Sequence, residues 1–130
     1  MTKQIVLTKD APSPIGPYSQ GIVAQGWFVY TAGQIGLVPG TGQVIGPEIK
    51  AQTKQALENL KAILESGGSN LSSVVKTTVF LKDMGEFAAM NEVYGEFFRD
   101  SPPARSTIEV ARLPKDVKVE IEAVGLVTTR

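Results

Sequence analysis

Hydrophobic residues follow two different spacings along this chain, and their order constrains the fold. Between Pro47 and Gly67 they recur every three or four residues, which predicts one amphipathic helix of about five turns. A second helix is predicted to begin at Asp83 and Glu86, which are spaced as in a capping box, and to stop at 100–103. Stretches rich in β-branched, aromatic or alternating apolar residues predict strands at 4–7, 21–25, 27–32, 74–82, 104–112 and 117–127.

This order of elements predicts an α+β fold, in which two helices cover one face of a single mixed sheet of about six strands. The 130 residues contain no repeat and no linker long enough to divide them, so we expect one domain over 1–130. The other sheet face is only partly polar, and association of several copies of the chain would cover it.

The composition excludes several kinds of chemistry. The chain has no cysteine and no histidine, which excludes a thiolate nucleophile, an imidazole base and the usual zinc ligands. No acidic cluster has the spacing of a metal-binding loop, and we expect neither a metal nor another cofactor. The 13 basic and 13 acidic residues balance without a basic run, which argues against binding of nucleic acid. The longest strongly apolar run is far too short to span a membrane, and no signal peptide is recognisable, so we expect a cytoplasmic protein.

The last two predicted strands alternate polar and apolar side chains. In the first of them Arg105 and Thr107 share a face, and in the second Glu120 and Glu122 share a face. If the two faces lie on the same side of the sheet, the four side chains form one polar group, although another strand could lie between them. A solvated surface is the commoner explanation of such a group. Arg105 can also bind a carboxylate, because its planar guanidinium donates two parallel hydrogen bonds.

Five ordered segments carry a more specific signal. They are IGPYSQG at 15–21, TAGQI at 31–35, KTTVFLKDM at 76–84, FAAMNEVYGEFF at 87–98 and PARSTIEVARLPKDVKVEIEAV at 103–124. In these segments the chain resembles the RidA/YjgF family of reactive imine and enamine deaminases over nearly its whole length. The resemblance implies a chorismate-mutase-like fold and a homotrimer with clefts between neighbouring subunits. It also implies cofactor-independent hydrolysis of 2-imino acids, such as 2-aminoacrylate, 2-iminopropanoate and 2-iminobutanoate, to 2-oxo acids and ammonia.

The resemblance also implies roles for individual residues. Arg105 matches the arginine that holds the substrate carboxylate, and Glu120 matches the glutamate that positions or activates water. Tyr18 matches a tyrosine that lines the cleft from a partner subunit, although a core position would equally explain it. Gly33 matches a glycine whose backbone faces the ligand. Asn91 matches a family asparagine, whereas its plain interpretation is a surface amide.

Two positions depart from the common family pattern. Thr107 stands where many members carry cysteine, and Ala32 stands where many carry serine. The Thr107 hydroxyl can still form a hydrogen bond, so Thr107 is kept as a substrate-binding candidate. Because the implied hydrolysis has no covalent step, these departures concern substrate range rather than the reaction itself.

Other functions remain open on this sequence. A non-catalytic trimer that binds 2-oxo acids as a regulator would need Arg105 but not Glu120. An RNA-cleaving translation inhibitor is an activity also ascribed to the family, but neutral charge and the lack of histidine disfavour it. No residue argues positively for a structural or chaperone-like trimer.

Overall fold

The computed structural model describes residues 2–129, which form two helices and six strands in the predicted order. The strands are β1 (Gln4–Val6), β2 (Gly21–Val23), β3 (Phe28–Tyr30), β4 (Val74–Leu81), β5 (Ala104–Glu109) and β6 (Val119–Leu126). The helices are α1 (Ile49–Ser66) and α2 (Phe87–Phe97). The α+β class is confirmed. Neither of these helices is long and apolar enough to cross a membrane.

The strands form two sheets rather than the single sheet that the sequence predicts. β1 pairs with β2, and the other four strands lie in the order β3-β6-β4-β5, in which only β4 and β5 are parallel. Between β2 and β3 the chain turns at Gly26, whose φ of 138° favours glycine, and this turn directs β3 into the larger sheet. An isolated bridge from Ser19 to Ala104 connects the chain before β2 with the start of β5.

Both helices pack on one face of the larger sheet. The fully buried side chains there include Leu57, Leu60 and Leu64 of α1, Met90 and Tyr94 of α2, and Val79 and Ile121 of the sheet. Neither helix covers the opposite face, where Tyr30 is 74% exposed and Ile108 is 46% exposed. The larger sheet therefore presents an open face with apolar side chains, as its sequence pattern predicts.

Only half of the predicted capping box before the second helix forms: Asp83 caps a short turn, whereas the Glu86 side chain bonds to Lys118. The Asp83 carboxylate accepts a hydrogen bond from the amide of Gly85 at 2.8 Å, and the Glu86 carboxylate accepts one from Lys118 at 3.4 Å. The residues from Met84 to Glu86 form a 3-10 turn that Asp83 caps, and α2 begins directly after it at Phe87.

Thr53 in α1 is fully buried, and its hydroxyl has no hydrogen-bond partner within residues 2–129. Thr53→Val should raise the free energy of unfolding by about 1 kcal/mol, because it removes an unsatisfied buried hydroxyl. Urea denaturation measures this change. Thr77→Val is the matched control: the Thr77 hydroxyl lies 2.7 Å from the Tyr94 hydroxyl, so its loss should lower stability. A less stable Thr53→Val protein would contradict this interpretation.

Lys3 links the N-terminal segment to the rest of the domain by hydrogen bonds. Its half-buried ammonium group donates hydrogen bonds to the carbonyl oxygens of Val74 at 2.8 Å and Ser101 at 2.6 Å. Burial lowers the pKa of Lys3 from 10.5 to about 8. Between these two values the folded protein releases a proton that the unfolded chain retains, so raising the pH favours the folded state.

We therefore expect the wild type to gain stability relative to Lys3→Met as the pH rises from 8 to 10.5. Below pH 8 the difference in unfolding free energy should stay constant, because Lys3 is then protonated in both states. Urea denaturation at one protein concentration and a series of pH values provides the measurement. If this difference in unfolding free energy falls between pH 8 and 10.5, burial does not control the pKa of Lys3.

Candidate active site

Arg105 lies within a cage of three aromatic rings. β5 is the edge strand of the larger sheet, and its alternation turns the Arg105 side chain toward the face covered by the helices. The guanidinium carbon lies 4.8 Å from the ring centre of Tyr94, 5.3 Å from that of Tyr18 and 5.5 Å from that of Phe87. Aromatic rings at these distances attract a cation through their negative faces. The cage thus stabilises a positive charge that is partly shielded from water.

Asn91 fixes the orientation of this guanidinium. Its Oδ1 accepts a hydrogen bond from Nη1 of Arg105 at 2.6 Å. Phe87, Asn91 and Tyr94 follow one another at helical spacing on α2, so all three side chains face β5. Asn91 is therefore a partner of Arg105 and not a plain surface amide.

No carboxylate neutralises Arg105 in the part of the chain from residue 2 to 129, where the ion pairs join other side chains. Burial lowers the pKa of Arg105, and the neighbouring Tyr94 and Tyr18 act in the opposite direction. An arginine nevertheless keeps its charge at neutral pH. A half-buried cation without an ionic partner is suited to bind an anion, and the planar guanidinium suits a carboxylate in particular.

The loop that enters β2 forms one wall of the cage. The amide of Tyr18 donates to the carbonyl of Gly16 at 2.9 Å, and the amide of Ile15 donates to the Tyr18 hydroxyl at 3.3 Å. A methyl group on Gly16 would lie 3.4 Å from the Asn91 amide nitrogen and 3.7 Å from Nη2 of Arg105. The loop therefore runs directly over the guanidinium.

Tyr18 lies beside Arg105 of its own chain. The family resemblance implies that this tyrosine lines the cleft from a partner subunit, which stays a prediction, and within one chain its ring lies against Arg105. The reason is the anchoring of the next residue: the Ser19 amide donates to the carbonyl of Pro103 at 3.1 Å, and its hydroxyl donates to that of Pro102 at 2.6 Å. These bonds hold the Tyr18 loop beside the start of β5.

Thr107 lies on the same face of β5 as Arg105, two residues further along the strand. Its hydroxyl is buried and finds no hydrogen-bond partner among the residues described. Unsatisfied buried polar groups are uncommon, and one that lies beside a candidate site, as Thr107 does, is available to a ligand or an ordered water. The Thr107 hydroxyl is thus a candidate contact for a polar molecule beside Arg105.

Glu120 lies on the open face of the sheet, next to Gly33. In the ladder between β4 and β6, Glu120 pairs with Phe80, whereas the next residue, Ile121, pairs with Val79 on the buried face. Two backbone hydrogen bonds between Gln34 and Ile121, at 2.8 and 3.0 Å, hold the loop after β3 in place. A side chain on residue 33 would overlap the Glu120 carboxylate, so the glycine leaves room for it.

The expected group of four polar side chains does not form within one chain. β4 lies between β5 and β6, and the two polar rows point away from each other: Arg105 and Thr107 face the helices, whereas Glu120 and Glu122 face the open side. Alternation fixes the faces within each strand, but it does not show which faces of two separated strands agree. The candidates therefore form two half-sites. The arginine half-site comprises Tyr18, Asn91, Arg105 and Thr107, and the glutamate half-site comprises Gly33 and Glu120.

Two residues of the cage, Phe87 and Tyr94, are not among the sequence-based candidates. Aromatic side chains at helical spacing on an apolar face are typical of a hydrophobic core. Their positions four residues before and three residues after Asn91 are the signal that places them on the face toward Arg105.

Two cavities on the surface of the chain lie outside both half-sites. The cavity between α1 and residues 37–42 and the cavity beside the end of α2 contain neither Arg105 nor Glu120. Across residues 2–129, no three acidic side chains converge in a way that could hold a metal ion.

Comparison with known proteins identifies the family of this chain. The family model described as Endoribonuclease L-PSP matches residues 8–127. The chain belongs to this family. The family is also called RidA, YjgF or RutC, and the resemblance carried by the five ordered segments is thereby confirmed.

Individual RidA relatives match over almost their full length. A RutC family protein of Pyrococcus horikoshii is 57% identical over 123 residues, which cover 95% of this chain and 97% of that protein. The 2-iminobutanoate/2-iminopropanoate deaminase of Salmonella typhimurium is 51% identical over 129 residues, with coverage of 97% and 98%. The crystal structure of Escherichia coli TdcF with bound serine is 44% identical, with a TM-score of 0.74 and coverage of 96% and 99%. These matches also confirm the RidA-type fold.

In this RidA family member, Gly33→Ala should displace the Glu120 carboxylate, because the added methyl overlaps it, and should change the free energy of unfolding by less than about 1 kcal/mol, because the end of a flexible side chain can move away. Urea denaturation and a crystal structure of the variant check both effects. Gly95→Ala in α2 is the control, since its nearest neighbour, on Pro17, would lie 3.7 Å away, and it should be neutral or stabilising. An unmoved Glu120 carboxylate in the crystal structure of Gly33→Ala would refute the close approach of Gly33.

Proposed function

We propose that this protein is a cofactor-independent hydrolytic deaminase, which converts reactive 2-imino acids and their enamine tautomers to 2-oxo acids and ammonia. Its substrates would include 2-aminoacrylate, 2-iminopropanoate and 2-iminobutanoate. The observation that carries the proposal is Arg105, a half-buried cation that is oriented by Asn91 and lacks an acidic partner in the described chain. All these substrates bear the carboxylate that such a site fits.

Two relatives support this assignment. The Salmonella protein, at 51% identity, is named for the same reaction. TdcF, at 44% identity, has been crystallised with serine, which is a small molecule with a carboxylate next to a nitrogen-bearing carbon. The substrates proposed here share that arrangement.

Hydrolysis of an imine requires water, orientation and the movement of protons. In the proposed reaction Arg105 binds the carboxylate, and Glu120 holds a water molecule beside the imine carbon. As the water oxygen bonds to that carbon, Glu120 takes a proton from the water and returns it to the imine nitrogen, which gives a carbinolamine. Glu120 then takes the hydroxyl proton of the carbinolamine and passes it to nitrogen, so that the carbon–nitrogen bond breaks and ammonia and the 2-oxo acid leave. One positioned acid–base group contributes about 10²–10⁴-fold, and fixed orientation adds to this.

The other residues of the half-sites would shape the cleft. Asn91 keeps the guanidinium in place, and Tyr18 forms a wall beside it. Gly33 leaves room for the Glu120 carboxylate, and the free hydroxyl of Thr107 offers one hydrogen bond to the substrate.

Arg105 and Glu120 do not meet within one chain, because they lie on opposite faces of the sheet. We therefore propose a homotrimer in which the arginine half-site of one subunit faces the glutamate half-site of its neighbour. Two features of the chain favour association: β5 is an edge strand, and the open sheet face exposes Tyr30 and Ile108. Closed rotational symmetry then gives one composite cleft for each pair of neighbours.

The release of ammonia and 2-oxo acid from freshly generated 2-iminopropanoate tests the reaction. Arg105→Ala should abolish acceleration because the carboxylate is no longer held, and Glu120→Gln should lower turnover about 10²-fold or more, because the water loses its acid–base partner. Both variants should fold like the wild type. Near-wild-type turnover in Arg105→Ala would refute the mechanism.

Mixed assemblies test whether the cleft is shared. When Arg105→Ala and Glu120→Gln chains are co-expressed in equal amounts, random assembly gives about one quarter of the clefts an intact arginine and an intact glutamate from different chains. Activity should therefore return to about one quarter of the wild-type value in co-purified trimers. If the mixture stays inactive, the two residues do not serve one cleft from neighbouring chains.

Two alternatives give different results in the same assays. Binding of 2-oxobutanoate by the wild type without accelerated release of ammonia would favour a non-catalytic regulator. The description of the family as an endoribonuclease favours RNA as a second candidate substrate. Salt-sensitive RNA binding and RNA cleavage by the wild type, both lost in Arg105→Ala, would support that function.

A further inference from the structure

Beneath Arg105 the hydrophobic core contains a polar pair that the proposed reaction does not use. The hydroxyl oxygens of Tyr94 and Thr77 lie 2.7 Å apart, and both residues are fully buried. Phenylalanine and valine would fill the same space without hydroxyl groups that must be removed from water. Packing alone does not explain why two hydroxyl groups stand there.

The pair connects two elements that flank Arg105. Thr77 lies directly opposite Arg105 in the parallel ladder of β4 and β5. The Tyr94 ring lies 4.8 Å from the guanidinium carbon, nearer than the rings of Tyr18 and Phe87. The hydrogen bond therefore joins the strand next to Arg105 to the nearest ring of the cage. Phe98 packs on the same ring, with 4.7 Å between the ring centres, and further restricts its movement.

Tyr94 has no role as an acid or a base near neutral pH. Burial raises the pKa of Tyr94 to about 12, although the Thr77 hydrogen bond and the charge of Arg105 act in the opposite direction. The phenol thus keeps its proton while the site works. Any contribution of Tyr94 to ligand binding must come from the position of its ring and from the attraction between that ring and the guanidinium.

We propose that Tyr94, held by Thr77, is a positioning residue that sets the plane of the Arg105 guanidinium and thereby the affinity for a ligand carboxylate. Asn91 holds one edge of the guanidinium by a hydrogen bond, and the Tyr94 ring supports it through a cation–π contact. When the Thr77 bond is lost, the ring can shift and the two parallel hydrogen bonds to a carboxylate are no longer pre-oriented. This inference rests on the proposed function only in that Arg105 binds the carboxylate.

The experiment compares wild type, Tyr94→Phe, Thr77→Val and the double variant as assembled proteins. The Kd for 2-oxobutanoate is measured by calorimetry, and KM and kcat are measured with 2-iminopropanoate. Each single variant should raise Kd and KM about three- to tenfold and change kcat by less than about twofold, because ground-state and transition-state binding of the carboxylate weaken together. The Kd and KM of the double variant should equal those of Tyr94→Phe and should not show the product of the two single effects. The reason is that each single variant and the double variant lose the same hydrogen bond.

Thr53→Val is the control, because Thr53 is equally buried but lies on α1 and its hydroxyl forms no hydrogen bond within residues 2–129, and it should leave Kd and KM unchanged. The NMR signal of the Arg105 Nε–H group gives a readout without ligand. It should shift in Tyr94→Phe and Thr77→Val but not in Thr53→Val. If Thr77→Val is too unstable to assay, the double variant, which lacks both hydroxyl groups, takes its place. A raised Kd in the double variant supports the role of Tyr94, and an unchanged Kd overturns it.

Unchanged Kd values in the variants, effects that multiply in the double variant, or an equal shift in Thr53→Val would each overturn the role of Tyr94. If the wild type binds 2-oxobutanoate but releases no ammonia, the deaminase is refuted, while the series of Kd values still decides the role of Tyr94. If the wild type binds no 2-oxo acid, both proposals are overturned.

Discussion

The candidate site depends on one cation that the chain itself does not neutralise. Moving a guanidinium partly out of water costs several kcal/mol when no counter-ion is present, whereas one cation–π contact returns about 0.5–2 kcal/mol. The three rings around Arg105 and the hydrogen bond to Asn91 therefore offset much of this cost within the described chain. A bound anion would offset the rest of the desolvation cost. The negative charge of a ligand is therefore the first property that the site selects.

The larger sheet separates this cation from the candidate acid–base residue. Arg105 lies on the face that receives both helices, whereas Glu120 lies on the opposite face, and β4 stands between their two strands. Strands hold Arg105, Thr107 and Glu120, which suits groups that must keep a fixed orientation. The same arrangement leaves each half-site facing outward from its own chain, and this links the proposed chemistry to the proposed assembly.

The spacing of apolar residues predicted the helices and the buried faces of the strands, because both depend on local structure. The spacing between Pro47 and Gly67 predicted α1, and the alternation in the last strand predicted that Ile121 is buried while Glu122 is exposed. The pattern did not show that β4 separates the last two strands, because pairing between distant segments leaves no local signal. Nor did it distinguish Tyr94 from other core aromatics, since a ring beneath a cation and a ring among leucines follow the same spacing. At Asn91 the local pattern was also ambiguous, and there the family resemblance identified the residue as a site candidate.

The division of the site between two faces has a consequence for inheritance and expression. In the proposed trimer every polypeptide contributes to two clefts, one through Arg105 and one through Glu120. A chain altered in both half-sites but still able to assemble would inactivate both of the clefts to which it contributes. Such an allele would act dominantly over a normal copy, whereas an allele whose product fails to fold would simply reduce the amount of enzyme.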